Sequence, residues 1–189
     1  MKKTLFAFLL CLCATFTWAQ SDYITGRFYE GYIIKKDGTQ KRGLIQYLAE
    51  PARYEKVIFK ASNKAKKEKY TPKNLGGYKV ADVLYHAIQY EDVVFKSQKF
   101  LALEKDGCLK QYYHRQYSQQ DAAWNTIMIL VNGDKAISTQ TFVLKYTAKM
   151  SELVKDNKEL ANKIKNKEDG YGLLKIEKIV DEYNSSCNK

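Results

Sequence analysis

The chain has few of the residues on which common active sites are built. Two of its 189 residues are histidine, two are proline and four are cysteine. The histidines, His86 and His114, have no Cys, Asp or His at metal-ligand spacing, so no metal centre is expected. No glycine-rich phosphate loop occurs, because Gly170 and Gly172 stand before a helix-like segment with no strand ahead of them. No G-x-S-x-G elbow is present, and no cofactor motif is found. Glu91-Asp92 and Glu168-Asp169 are adjacent carboxylates, which read as solvated turns. A hydrolase would have to assemble its cleft from residues far apart in the chain. Beyond the N-terminus no apolar run approaches the roughly 20 residues of a spanning helix.

The apolar run that does exist is at the start. Lys2 and Lys3 precede Leu5 to Cys13, which is short for a membrane span, and Thr17-Trp18-Ala19 places small residues at −3 and −1 of a cleavage site. Residues 1–19 therefore read as a signal peptide, and the protein as exported to the periplasm or cell surface. Lipidation at Cys11 or Cys13 is disfavoured, since each follows a leucine rather than a small residue. Two cysteines survive processing, Cys108 and Cys187. In an oxidising compartment they are candidates for a disulfide, the alternative being two free thiols.

The formal charge is +11, or +9 without Lys2 and Lys3. It suits an anionic partner, such as lipid headgroups or acidic glycan, or simply a solvated surface. Export disfavours nucleic acid.

The remaining sequence is punctuated by hairpin signals. Gly31 to Tyr47 reads GYIIKKDGTQKRGLIQY, two strand-like runs around Asp37-Gly38. A two-residue turn there pairs Tyr32 with Gly43 and Ile34 with Lys41. It places Tyr32, Ile34, Gly43, Ile45 and Tyr47 on the buried face, with a tyrosine ring over Gly43. Asp106-Gly107 and Asn132-Gly133 repeat the signal. Together they predict an α+β protein: an antiparallel meander of about eight or nine strands over residues 20–140, curling into a partial barrel or sandwich. About three short helices over residues 141–189 then pack on it. Tyr78 to Tyr90 reads as one weakly alternating strand, with Val80, Leu84 and Ile88 as core positions, and 93–95 as strand-like. In the tail, Leu144, Met150, Leu153 and Val154 fit one helical face. Asn157 caps the next helix, which buries Leu160 and Ile164. Leu173, Ile176, Val180 and Tyr183 mark a last one, fraying from Asn184.

Two stretches are candidate binding residues. Lys60 to Lys69 is the most basic segment, and Lys64, Lys66 and Lys67 could meet an anionic surface; the plainer reading is a solvated hairpin tip. Tyr112, Tyr113, His114, Arg115 and Tyr117 form an aromatic cluster. Alternation prevents Tyr112 and Tyr113 from facing the same side, so one is exposed or covered by the helices. His86 reads as a packed strand residue and His114 as a partly exposed one. Exposed tyrosines suit protein or glycan contacts.

The motifs GYII-x-K-x-G-T with G-L-I-x-Y (Gly31 to Tyr47), V-x-F-K with Y-T-P (Val57 to Pro72), and LANKIKNKE with IEKIVDEYN (Leu160 to Asn184) are similar to those of a group of exported Bacteroidota proteins. The likeness covers most of the mature chain. It implies export and the two-part layout, and brings no active site. The group's Cys-Pro pair is replaced here by Asn157-Lys158. Residues and resemblance together predict a non-enzymatic cell-envelope protein that binds another protein or envelope component. The alternatives are anionic glycan or lipid headgroup binding, and a hydrolase.

Overall fold

A computed structural model describes residues 23–92, 96–142 and 145–187. The expected signal peptide over 1–19, the strand-like 93–95 and Leu144 lie outside them. The fold is α+β, built on one mixed sheet of ten strands in the order β10-β9-β8-β7-β6-β5-β1-β2-β3-β4.

The first hairpin joins β1 (Phe28–Ile34) to β2 (Gln40–Gln46). Its register differs from the sequence expectation by one residue: Gly31 faces Gly43, and Ile33 faces Lys41. The reason is the loop. Lys35 N–H bonds to Thr39 C=O at 2.8 Å, Gly38 N–H to Lys35 C=O at 3.0 Å, and Gly38 has φ +84°. That is a three-residue turn closed by a left-handed glycine, not the two-residue turn that Asp-Gly suggested. A one-residue slip exchanges the faces of β1, so Ile33 joins Ile45 in the core while Tyr32 and Ile34 face away. Gly43 is covered by Phe59, whose ring lies 2.5 Å from where a Cβ would stand, and not by Tyr32.

A cis Glu50-Pro51 bond leads into the single turn α1 (Ala52–Glu55), followed by β3 (Val57–Lys60) and β4 (Glu68–Tyr70). Tyr78 to Tyr90 is two strands, β5 (Gly77–Val80) and β6 (Val83–Glu91), reversed at Ala81 and Asp82, both at positive φ. No glycine marks that turn, and the missed reversal is one reason the strand count exceeds the expected eight or nine. Of the expected core positions Val80 is buried, whereas Leu84 and Ile88 are half-buried and Tyr85 and Tyr90 take the interior.

The other two glycine signals join β7 (Lys96–Lys105) to β8 (Leu109–Ser118), and β9 (Ala123–Asn132) to β10 (Lys135–Ser138). β10 then pairs in parallel with β6, through Ile137 and Glu91. The pairings β6-β7-β8-β9-β10-β6 thus close a five-stranded ring, and β5-β1-β2-β3-β4 extends from it as an open sheet.

Three apolar clusters hold the layers. Tyr90, Leu101, Tyr112, Ile127 and Ile129 fill the ring. Ile33, Ile45, Phe59, Tyr78 and Phe100 gather beneath Tyr54 of α1. The outer face of β8 and β9 is covered by α2 (Tyr146–Leu153), α3 (Lys158–Lys165) and α4 (Ile176–Cys187), burying Leu109, Leu130, Met150, Leu160, Ile179 and Val180. The Asn157 side chain accepts from Leu160 N–H at 3.0 Å, capping α3. α4 runs on to Cys187 rather than fraying at Asn184, and Leu173 lies exposed in a short 3-10 turn ahead of it.

The reason for the longer α4 is its attachment. Asn184 accepts from Leu109 N–H at 2.8 Å and donates to Leu109 C=O at 3.0 Å, imitating a strand neighbour. One turn later Cys187 is joined to Cys108 by a disulfide, with Cα atoms 6.5 Å apart.

Candidate functional site

The aromatic cluster of β8 is divided by strand alternation. Tyr112 and His114 point into the ring and are each 1% exposed; Tyr113, Arg115 and Tyr117 point outward. His114 is therefore buried, against the expectation of partial exposure, because its place beside Ile127 lies on the ring's inner face. Tyr113 is half covered by the helical layer, its hydroxyl donating to Glu177 at 3.3 Å.

Inside the ring two imidazole–phenol pairs form across the barrel. His86 Nδ1 lies 2.8 Å from the Tyr112 hydroxyl, and His114 Nε2 lies 3.1 Å from that of Tyr90. Burial, aided by the Lys99 charge, lowers the His114 pKa to about 4, and burial followed by Lys110 lowers that of His86. Burial also raises the two phenols, Tyr90 to about 12. His114 is thus neutral at pH 7, and His86 is shifted the same way. The His114–Tyr90 hydrogen bond is buried inside the ring, whereas His86 is half-buried where it meets Tyr112.

Past His114 the chain leaves the ring. Every residue from Arg115 to Thr126 is exposed except Ser118, so the far end of β8 and β9 projects as a free two-stranded ribbon. Tyr117 sits directly opposite Trp124; the two are 49% and 41% exposed, with ring centroids 5.5 Å apart in an edge-to-face arrangement. The Arg115 guanidinium lies 5.5 Å from the Trp124 ring centroid. Arg115 also anchors the ribbon's base. Its N–H donates to the Tyr54 hydroxyl at 3.1 Å, which donates to Glu50 at 2.7 Å, and Glu50 pairs with the guanidinium at 3.6 Å. A hollow of about 420 Å³ opens beside this base, with Arg53 and Glu104 on its walls. The three side chains form a platform held from below, its upper surface open.

Lys64, Lys66 and Lys67 occupy the exposed tip between β3 and β4, where the Lys67 ammonium lies 5.6 Å from the Phe28 ring centroid. In the sheet order six strands separate β4 from β8, so the basic tip and the aromatic cluster belong to different ends of the sheet. The predicted binding residues are not one site. Trp124 carried no signal in the sequence: its partner Tyr117 is seven residues away along the chain, and only the β8–β9 register brings them together.

Among the described residues no group of three or more His, Cys, Asp or Glu is placed to hold a metal ion, and no helix is long and apolar enough to cross a membrane. No family model, no curated protein and no solved structure matches this chain.

Proposed function

We propose that the chain is an exported, non-enzymatic cell-envelope protein that docks a second protein on the β8–β9 ribbon. The observation that carries this reading is the exposed Arg115–Tyr117–Trp124 platform. Trp, Tyr and Arg are the residue types that dominate protein interfaces: the two aromatics give a large contact area at low entropic cost, and the guanidinium adds charge and several hydrogen-bond donors. Export is supported by the N-terminal segment and by a disulfide of the kind that persists in oxidising compartments.

Trp124→Ala and Tyr117→Ala test the reading. Both side chains are exposed, so each variant should keep the parent's stability to about 0.5 kcal/mol. Removing a central aromatic anchor should weaken the complex by about 2 kcal/mol, or roughly 30-fold. Affinity capture from envelope extracts should recover one partner in stoichiometric amount with the parent and lose it with Trp124→Ala. Recovery of the same species with both proteins, or of none with either, would refute the proposal.

A further inference from the structure

The open half of the sheet is covered on one side only. α1 lies over the face that carries Ile33, Ile45 and Phe59. Among the described residues no helix covers the reverse face of β1, β2, β3 and β5. There, by strand alternation, Glu30 and Tyr32 of β1 stand beside Arg42 and Leu44 of β2, with Lys60 of β3 on one flank and Lys79 of β5 on the other. The loop Ala61 to Asn63 rises along one side, and Tyr23, hydrogen-bonded to Asp82 at 3.0 Å, closes the other. Between them runs an open groove of about 830 Å³, within the size range of ligand sites.

Among the described residues the side chains of Arg42, Lys79, Glu30 and Tyr32 make no hydrogen bond or ion pair. Asp82 is held by Tyr23, and Lys60 donates to Asn63 C=O at 2.6 Å. The floor therefore offers a free guanidinium, a free ammonium, a free carboxylate and a phenol. Lys67 and Lys69 stand on the β4 side of the same face, so cations outnumber acids across it.

We infer that this groove binds a glycan chain bearing carboxylate groups. Guanidinium and carboxylate take sugar hydroxyls in pairs, a tyrosine ring accepts the apolar face of a sugar, and the surplus cations meet the uronate charges. A bilayer fits poorly, since none of the well-exposed large apolar side chains (Ile24, Tyr117, Trp124, Leu173, Leu174) lies on this floor. An extended peptide fits poorly too. β1 and β2 are paired on both sides and offer it no free ladder edge. The groove lies apart from the β8–β9 ribbon, and its function is independent of that surface.

Binding is read by calorimetry with polygalacturonate and hyaluronate, against neutral dextran, polyglutamate and phosphatidylglycerol vesicles. The parent should bind at least one of the two uronate polymers and not dextran. Arg42→Ala combined with Lys79→Ala should weaken that binding at least tenfold, Tyr32→Ala at least threefold, and Trp124→Ala not at all. Unfolding temperature controls for folding in each variant. Failure of the parent to bind either polymer, unchanged affinity in both groove variants, or equal affinity for polyglutamate or the vesicles would each overturn the assignment. The last result would give the face to an acidic protein or to lipid.

Discussion

Replacing Cys108 and Cys187 together by serine removes a covalent link between the turn that opens β8 and the last turn of α4. The disulfide closes a loop with a sequence separation of 79, and the chain-entropy relation for a loop of that length gives ~4.5 kcal/mol. The native state should change little. Asn184 still holds both backbone groups of Leu109, Lys105 still meets Asp181 at 2.6 Å, and Ile179, Val180 and Tyr183 remain buried. The loss therefore lies in the unfolded chain, which gains freedom when the link is cut. At 2–4 °C per kcal/mol for a chain of this size, Tm should fall by about 9–18 °C. Urea unfolding followed by tyrosine fluorescence and near-ultraviolet dichroism should show a lower midpoint and a larger m-value, because the unlinked chain exposes more surface. A loss under about 1 kcal/mol with a native spectrum would refute the entropic argument. Collapse of the near-ultraviolet signal in the folded baseline would show that the contacts of α4 do not hold it without the bridge.

Gly43→Ala places a Cβ 2.4 Å from Lys60 C=O and 2.5 Å from the Phe59 ring, so β3 must retreat; urea unfolding should show a loss of about 1–3 kcal/mol. Gly172→Ala, where an added Cβ meets nothing within 4 Å, should be nearly neutral. The His114 pKa stands below its ordinary 6.5, at about 4. The unfolded chain thus binds the proton first, and stability present above pH 6.5 should decline as pH falls toward 4, by up to about 3 kcal/mol. His86 shifts in the same direction. Stability measured across that window should flatten in His114→Gln; a slope identical to the parent's would refute the assignment.

Local chemistry was readable where one residue decides the outcome. Asn157 announced its helix because a side-chain amide at the first turn satisfies a free N–H, and the apolar spacing of Leu160, Ile164, Ile176, Val180 and Tyr183 matched the face they bury. Asp37-Gly38 announced a reversal but not its length. Two- and three-residue turns use the same dipeptide, and one residue of difference moved Ile33 inside and Tyr32 outside. Ala81-Asp82 was silent, since residues forced to positive φ by the strands around them carry no mark of it. The candidate sites were illegible for a related reason. The Tyr117–Trp124 pair and the Tyr32–Arg42–Lys79 floor exist only through register between strands, which local sequence does not encode.

The seam between β6 and β10 bears on how the molecule comes into being. β10 is the last strand made, and it must find a partner laid down well before it, across the whole β7–β9 meander. Until it arrives, the space around Tyr90, Tyr112 and His114 is an open trough wetted by solvent. Joining distant segments is slow because the intervening chain must be gathered first. The closing of that seam, rather than the formation of any hairpin, is therefore the step at which this protein becomes water-tight.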